Sequence, residues 1–174
     1  MIKIAITGPE SSGKSTLTEQ LANYFNAPFF LEYARDYLLN KKSDYTREDL
    51  TNIALQQEEL RNHSHQDQPL LIYDTENLVI YIWSKVKYGK VDSKIQALLE
   101  QQYFTHYFLC RPDIPWEFDE LRENPTDREQ LFELYRQELD QRALSYSIIE
   151  GNSVERLTHA ISTVQLIINQ EAQK

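Results

Sequence analysis

Nine residues near the start of the chain have the types and spacing of a phosphate-binding loop. They read Gly-Pro-Glu-Ser-Ser-Gly-Lys-Ser-Thr, follow a short apolar run and lead into a helical stretch, which is the context that this motif requires. The glycines allow successive backbone N–H groups to turn inward, where they and the start of the helix can bind phosphate oxygens. Lys14 can reach the β- and γ-phosphates, and the Ser15 hydroxyl can ligate Mg²⁺. A nucleoside triphosphate, most simply ATP, is therefore the predicted ligand of Gly8, Pro9, Glu10, Ser11, Ser12, Gly13, Lys14, Ser15 and Thr16.

Glu10 is an unusual residue in an anion-binding loop. Its carboxylate would repel phosphates unless it faces the second substrate, a metal-bound water or a basic side chain. These three alternatives stay open at this point.

Strand-like and helix-like segments alternate along the chain. This alternation predicts an α/β fold with a parallel sheet and helices on both of its faces. Nearly continuous apolar runs predict strands at Ile2–Thr7, Pro28–Leu31, Leu70–Tyr73, His106–Cys110 and Ser147–Ile149. Amphipathic stretches predict helices at Lys14–Phe25, Arg47–His65, Thr75–Tyr88, Asp92–Gln102, Asp127–Ala143 and Val154–Asn169. Capping boxes are predicted at Thr46-x-x-Asp49 and Thr126-x-x-Glu129, and Gly89 is predicted to cap a helix C-terminus.

Acidic residues follow two of the predicted strands. In an open parallel sheet, ligands bind beyond the carboxyl ends of the strands. Asp74 is therefore a candidate for holding Mg²⁺ or its water opposite Ser15, the alternative being a helix cap, and Glu76 is a weaker candidate. Glu32 is placed to accept a hydrogen bond from an acceptor hydroxyl. Arg35, one turn later, is either an anion clamp or the partner of Glu32 in a surface ion pair.

The segment from Arg111 to Arg128 contains three prolines and has no clear period. Long connections of this kind are typical of lids and binding loops. Arg128 is predicted in the first turn of a helix, where a cation opposes the helix dipole. We therefore expect Arg122 and Arg128 to close on the triphosphate and stabilise charge on the transferred phosphoryl group, the alternative being two solvated arginines.

The aromatic and histidine residues of the middle of the chain give weaker signals. Apolar residues around Trp83 recur at helical spacing, so most of that helix face is predicted to be core. One ring among Tyr81, Trp83 and Tyr88 could stack on a planar ligand. His63 and His65 lack metal-ligand partners at usable spacing and are predicted to be solvated.

Composition narrows the class of protein. The 174 residues predict one domain over 1–174, and the net charge of −9 disfavours sequence-independent nucleic-acid binding. A small charged metabolite is the expected partner, while the oligomeric state stays open, with a homo-oligomer as one alternative. Cys110, the single cysteine, is predicted to be a buried strand residue in a reducing compartment. No apolar stretch has membrane-spanning length and no signal peptide is recognisable, so a cytoplasmic location is expected.

Taken together, these motifs carry a resemblance to a known family. The Glu-Ser-Ser loop interior, Glu32-Tyr33-Ala34-Arg35, Asp74-Thr75 and the segment from Trp116 to Arg122 resemble the ribosylnicotinamide kinase domain of NadR-type proteins. The resemblance spans almost the whole chain, but the adenylyltransferase domain that usually precedes this kinase is not expected, because Met1 begins the first kinase strand. The resemblance implies ATP-dependent phosphorylation of the ribose 5′-hydroxyl of nicotinamide riboside. It also implies a P-loop kinase fold whose five-stranded parallel sheet has the order 2-3-1-4-5, with a lid after strand 4. Two rival hypotheses are a kinase for another nucleoside or small metabolite, and a nucleotide-sensing module.

Overall fold

The computed structural model describes residues 1–41, 44–62 and 67–173. Strands and helices alternate along most of this length. In chain order they are β1 (Ile2–Thr7), α1 (Lys14–Phe25), β2 (Phe29–Phe30), α2 (Tyr33–Asn40), α3 (Arg47–Asn62), β3 (Leu70–Asp74), α4 (Asn77–Tyr88), α5 (Ser93–Gln101), β4 (His106–Cys110), α6 (Arg128–Gln141), β5 (Tyr146–Ile149) and α7 (Ser153–Glu171).

The strands form one five-stranded sheet in the order β2-β3-β1-β4-β5. Every neighbouring pair is parallel, and the register places Ile6 of β1 opposite Asp74 of β3 and Phe108 of β4. The predicted class, strand order and flanking helices are therefore confirmed. Because the strands are parallel, the carboxyl ends of β1, β3 and β4 meet at one edge of the sheet, which is where the loop Gly8–Gly13 begins.

Helices cover both faces of the sheet, which explains why its central strands read as continuous apolar runs. On one face Ile4 and Ile6 pack with Leu21 of α1 and Val164 of α7. On the other face Ala5 and Tyr73 belong to a cluster with residues of α4, α5 and α6, such as Phe132. Burying a large apolar side chain of this kind contributes roughly 1.5–3 kcal/mol. The sheet is thus a rigid platform for the loops at its carboxyl edge.

A third cluster joins α2, α3, α4 and α5 beyond the β3 side of the sheet. Its buried members include Leu38 of α2, Leu50 of α3, Ile80 of α4 and Ile95 of α5. This cluster holds α2 and α4 beside the loop edge, so both helices can contribute side chains to a site there.

Two of the three predicted helix signals are confirmed. The Thr46 hydroxyl accepts the Asp49 N–H at 3.4 Å while the Asp49 carboxylate accepts the Thr46 N–H at 2.6 Å, and Gly89 ends α4 with a φ of 64°. The capping box at Thr126 and Glu129 is wrong, because α6 is capped at Asp127 without a side-chain bond and Glu129 instead binds Arg111 at 2.7 Å.

Some boundaries differ from the sequence predictions. Helix α2 was not predicted, and β2 is two residues long instead of four. Helix α3 ends at Asn62 in the structure, and His63 and His65, predicted to be solvated, lie outside the described residues. Within the described ranges, no helix combines the length and apolar character needed to cross a membrane.

Candidate active site

The loop between β1 and α1 has a backbone that requires glycine at two positions. Gly8 has a φ of 132°, and a Cβ atom added there would lie 2.7 Å from the Cys110 carbonyl oxygen. Gly13 has a φ of 81° and forms the N-cap of α1. Any side chain at residue 8 would push the loop away from β4, so glycine lets the loop lie close against the sheet edge.

Lys14 lies within the curl of this loop. Its Nζ donates to the Pro9 carbonyl oxygen at 2.8 Å, and the Ser12 hydroxyl donates to the same oxygen at 2.7 Å. The ammonium group is therefore held over the loop by a neutral acceptor. A phosphate is a stronger acceptor for this cation and could take its place.

Two arginines from distant elements bind carbonyls of the loop. Arg128 donates to Ser11 O at 2.8 Å and to Ile114 O at 3.1 Å. Arg156 of α7, only 5% exposed, donates to Ser12 O at 2.8 Å and to Gly151 O at 2.7 Å. Because a trans peptide unit carries its C=O and N–H on opposite sides, fixing these carbonyls also fixes the directions of the N–H groups that follow them.

Arg156 was not among the site residues predicted from the sequence. Arg156 belongs to no sequence motif. The feature that could have indicated its role is its position on the face of the last amphipathic helix that packs on the sheet, where a charged residue is unexpected. Its Nη2 atom also donates to the Arg111 carbonyl oxygen at 2.8 Å and pairs with Asp113. Arg156 thus joins the loop to the segments that follow β4 and β5.

Asp74 ends β3 and is 1% exposed. Burial raises the pKa of its carboxyl group, whereas a hydrogen bond with Ser15 and the charge of Lys14 lower it. Its buried Oδ1 atom has no hydrogen-bond partner among the described residues. A buried, unsatisfied carboxylate oxygen next to the Ser15 hydroxyl fits a hard divalent cation such as Mg²⁺, or its bound water.

The residues after Asp74 have structural partners. Thr75 adopts a φ of 67°, and its carbonyl oxygen accepts a hydrogen bond from the buried Arg61 at 2.8 Å. Glu76, the weaker metal candidate, accepts bonds from Thr7 at 2.9 Å and from the Leu78 N–H at 2.6 Å. Glu76 therefore caps α4 and connects the start of this helix to the end of β1.

Glu32 lies at the N-cap of α2 without making a side-chain cap bond, and it lines the same cavity as Asp74. Burial raises the pKa of its carboxyl group. The charge of Lys14 lowers this pKa, and the charge of Asp74 raises it. A carboxylate with a raised pKa accepts a proton more readily than an ordinary one.

Arg35 does not form the ion pair with Glu32 that was one of the two alternatives for it. Its guanidinium pairs with Asp119 of the connection after β4, at 2.8 Å, and not with Glu32. The hydrogen bond from Arg35 is the main cause that lowers the pKa of the Asp119 carboxyl group. Arg35 therefore ties α2 to the segment predicted as a lid.

Glu10 and Ser11 bind the same segment from the loop side. The Glu10 carboxylate accepts the backbone N–H groups of Glu123 at 3.0 Å and of Asn124 at 2.7 Å. The Ser11 hydroxyl accepts the Glu117 N–H at 3.1 Å and a bond from Arg122 at 3.3 Å. Among the described residues, Glu10 thus binds neutral amides and not the basic side chain that was one of the three alternatives for this carboxylate.

These contacts enclose one cavity of about 620 Å³, which extends from the phosphate-binding loop to the space between α2 and α4. Such a volume is typical of a small-molecule site. Its lining includes the polar residues Lys14, Ser15, Glu32, Asp74, Asp119 and Arg122 and the apolar residues Ala34, Leu38, Val79, Ile82, Trp83 and Leu121. Arg128 is not part of this lining, and its two hydrogen bonds go to the carbonyl oxygens of Ser11 and Ile114.

Among the three aromatic candidates, Trp83 is the one that lines the cavity. Its Nε1 donates to the Tyr45 hydroxyl at 2.9 Å. Tyr81 lies against the cationic groups of Lys85 and Arg142, and the Tyr88 hydroxyl donates to the Tyr45 carbonyl oxygen at 3.1 Å.

Comparison with known proteins identifies the family of the chain. A family model described as an AAA domain matches residues 3–156. The chain belongs to this family. It is also similar to the trifunctional NAD biosynthesis/regulator protein NadR of Escherichia coli (strain K12), with 26% identity over 182 residues that cover 97% of the chain and 43% of that protein. The NadR protein of Salmonella typhimurium (strain LT2) is 32% identical over 129 residues, 68% of the chain and 30% of that protein. The chain thus spans less than half the length of these curated relatives, and the resemblance to NadR-type proteins is confirmed.

Solved structures share the fold. A NadR protein in complex with NAD and AMP-PNP superposes with a TM-score of 0.74 and 20% identity, over 94% of this chain and 48% of that one. A NadR protein in complex with NR gives 0.73 and 22% over the same shares. A deoxyadenosine kinase from M. mycoides gives 0.65 and 16% over 95% of this chain and 100% of that one. The P-loop kinase fold expected from the sequence is therefore confirmed.

Proposed function

We propose that this protein transfers the γ-phosphoryl group of ATP to the 5′-hydroxyl of nicotinamide riboside, giving nicotinamide mononucleotide and ADP. The observation that carries the proposal is the single cavity that joins a phosphate-binding loop to an acceptor chamber with a carboxylate at its entrance. Homology with NadR, and the fold shared with a NadR protein bound to NR, support the choice of acceptor.

The loop supplies the nucleotide half of the proposed site. Lys14 exchanges the Pro9 carbonyl for phosphate oxygens, and the loop N–H groups together with the start of α1 bind the remaining charge. When bound, Mg²⁺ would neutralise phosphate charge during transfer, and Ser15 and Asp74 are the residues that would hold it or its water.

The acceptor half lies between α2 and α4. The Glu32 carboxylate accepts the proton of the 5′-hydroxyl as the oxygen forms its bond to the γ-phosphorus and the bond from that phosphorus to the β-phosphate bridging oxygen breaks. The raised pKa of Glu32 suits this role. The apolar surface of Val79, Ile82 and Trp83 receives the planar ring.

The two lid arginines take different roles in this proposal. Arg122 lines the cavity and is free to exchange the Ser11 hydroxyl for a γ-phosphate oxygen. Arg128 is a positioning residue, because both of its bonds go to backbone carbonyls and its own side chain does not line the cavity. A cation such as Arg122, whose contact with the phosphoryl group strengthens during transfer, lowers the activation barrier of the reaction. A residue such as Arg128, which shapes the loop, changes the affinity for nucleotide instead.

The charges of the chamber favour a cationic ring over a zwitterion with an added carboxylate. Glu32 and Asp119 both line the cavity, and Arg35, the cation best placed to receive a ring carboxylate, already pairs with Asp119. Like charges in a partly dry site can cost a few kcal/mol, which is enough for a large selectivity ratio. Nicotinamide riboside should therefore be preferred to nicotinic acid riboside.

The test is an ADP-release assay with nicotinamide riboside, nicotinic acid riboside, uridine, adenosine and deoxyadenosine, in wild type and in Glu32→Gln. The expected result is the highest kcat/KM for nicotinamide riboside, and a fall of about 100-fold or more in kcat for Glu32→Gln with AMP-PNP binding retained. A higher kcat/KM for an ordinary nucleoside would mean that the protein is a kinase with a different acceptor. Absence of ADP release with every riboside would favour a nucleotide-sensing module instead.

A further inference from the structure

Glu123 lines the cavity and contacts both the phosphate-binding loop and the α3–α4 part of the fold through different parts of one residue. Its backbone N–H donates to the Glu10 carboxylate of the phosphate-binding loop at 3.0 Å. Its side-chain carboxylate accepts a bond from Lys87 at 2.7 Å and one from the Tyr45 hydroxyl at 2.9 Å. Lys87 belongs to α4 and Tyr45 precedes α3, so Glu123 links the nucleotide side of the cavity to the acceptor side.

Tyr45 extends this link to the cavity surface. Its hydroxyl donates to Glu123 and accepts from the indole Nε1 of Trp83 at 2.9 Å, and the two rings pack edge to face with centroids 5.0 Å apart. The Lys87 ammonium lies 3.7 Å from the Tyr45 ring centroid. Burial raises the pKa of Tyr45 to about 12, so this hydroxyl stays protonated and remains a donor to Glu123 at physiological pH.

We propose that Glu123 is a positioning residue through which nucleotide binding at the loop fixes the Tyr45–Trp83 pair, so that the acceptor chamber is ordered before an acceptor arrives. The inference rests on the nucleotide half of the proposed function and is independent of the identity of the acceptor.

An exposed ion pair alone would couple two sites weakly. The Glu123 and Lys87 side chains are 44% and 32% exposed, and isolated pairs of this kind change an equilibrium little. Here the backbone of Glu123 is already fixed by Glu10, and its carboxylate has two partners rather than one. We therefore expect an effect of about threefold to fivefold on nucleotide affinity, the upper range for a surface contact.

The first test measures the dissociation constant of AMP-PNP by calorimetry with Mg²⁺ and without any acceptor. Tyr45→Phe should weaken binding about threefold to fivefold, although Tyr45 lies outside the phosphate-binding loop. In a Glu123→Ala background the same substitution should have no further effect, because its route to the loop is gone. Tyr146→Phe is the matched control, since it also removes a hydroxyl–carboxylate bond, of 2.8 Å to Asp140, and should change nothing.

The second test follows Trp83 directly. Trp116, the other tryptophan, is replaced by phenylalanine, which removes a buried indole nitrogen that has no hydrogen-bond partner in the described part of the chain. AMP-PNP should then shift the emission maximum of Trp83, and Glu123→Ala should abolish the shift while the far-ultraviolet circular dichroism stays unchanged.

Three results would overturn the inference: Tyr45→Phe that binds AMP-PNP like wild type, effects of Tyr45→Phe and Glu123→Ala that multiply, or a Trp83 shift that survives Glu123→Ala. If nicotinamide riboside did not stimulate ADP release in the riboside panel, the proposed acceptor would be overturned instead. That result would leave these measurements unaffected, since they contain no acceptor.

Discussion

Replacing Asp74 by asparagine should make the ligand-free protein more stable and the proposed reaction less responsive to Mg²⁺. The Asp74 carboxylate is 1% exposed, and its Oδ1 has no hydrogen-bond partner among residues 1–41, 44–62 and 67–173. An unsatisfied buried polar group costs about 1–3 kcal/mol, and a charged one costs more. Asparagine keeps the shape and removes the charge, so we expect a gain of about 1 kcal/mol in the free energy of unfolding. For a chain of 174 residues this corresponds to an increase of about 2–4 °C in Tm.

The sign of the pH dependence follows from the raised pKa of Asp74. Between the ordinary value of 3.8 and the raised pKa, the folded state binds more protons at this residue than the unfolded state. The contribution of Asp74 to the stability of the wild type therefore falls as pH rises through this window, and the variant has no such contribution. The difference in Tm between variant and wild type should be largest at pH 7.5 and smaller at pH 4.5.

The assay has two parts, with Asp36→Asn as the control because Asp36 is an exposed carboxylate that lines the same cavity. Thermal unfolding is followed by circular dichroism in the presence of a chelator, at both pH values. Activity is then titrated against Mg²⁺, where the half-activating concentration should rise about tenfold or more in Asp74→Asn and stay constant in Asp36→Asn. A variant less stable than wild type at pH 7.5, or a Mg²⁺ curve that overlays the wild-type curve, would refute the reasoning.

Four further substitutions separate the roles of the cations around the loop. Lys14→Ala should lower turnover about 100-fold or more without changing the circular dichroism, because the ammonium is directed at the ligand and packs little; a folded variant with wild-type turnover would exclude the assigned role. Arg122→Ala should lower kcat with little change in the KM for ATP, whereas Arg128→Ala should mainly raise that KM; steady-state kinetics that show the same pattern for both would contradict the division of roles. Arg156→Met should lower the free energy of unfolding by about 3 kcal/mol in urea titrations, because it leaves several buried acceptors without a donor, and a loss below about 1 kcal/mol would mean that these bonds contribute little.

The elements of the sheet could be predicted because local pattern and tertiary environment agree there. β1 and β4 are covered on both faces, so their sequences are continuous apolar runs and their bounds match the prediction residue for residue. The phosphate-binding loop could also be predicted, since its backbone conformation demands glycine at positions 8 and 13. In both cases the physical requirement is local in sequence.

Helix α2 was missed because its stability does not come from its own sequence. It has eight residues, no side-chain cap bond and two buried residues, Ala34 and Leu38. A helix of two turns is marginal in isolation, and this one is stabilised by the cluster that it forms with α3 and α4. Periodicity over so short a stretch cannot be distinguished from a loop with two apolar residues.

The partners of Glu10 and Arg35 were missed for a different reason. Each side chain binds a residue of the segment after β4, 113 positions away for Glu10 and 84 for Arg35. Charge and spacing indicate that an acidic or basic group needs a partner, but they do not specify which of many distant groups supplies it. The sequence therefore predicted a lid and a loop separately. The structure shows that the segment after β4 and the loop are joined partly through backbone N–H groups, which have no sequence signature.

The bond from Arg156 to the loop also bears on the order in which the molecule is built. Ser12 and Arg156 are 144 positions apart, so a ribosome makes the loop long before the arginine that holds its carbonyl. Helix α1 likewise packs against α7, which contains that arginine. On a nascent chain the loop therefore lacks this hydrogen bond until α7 has been made. The local conformation of a loop near the start of the chain thus depends on a helix near its end, and the two form one cooperative unit only after both have been synthesised.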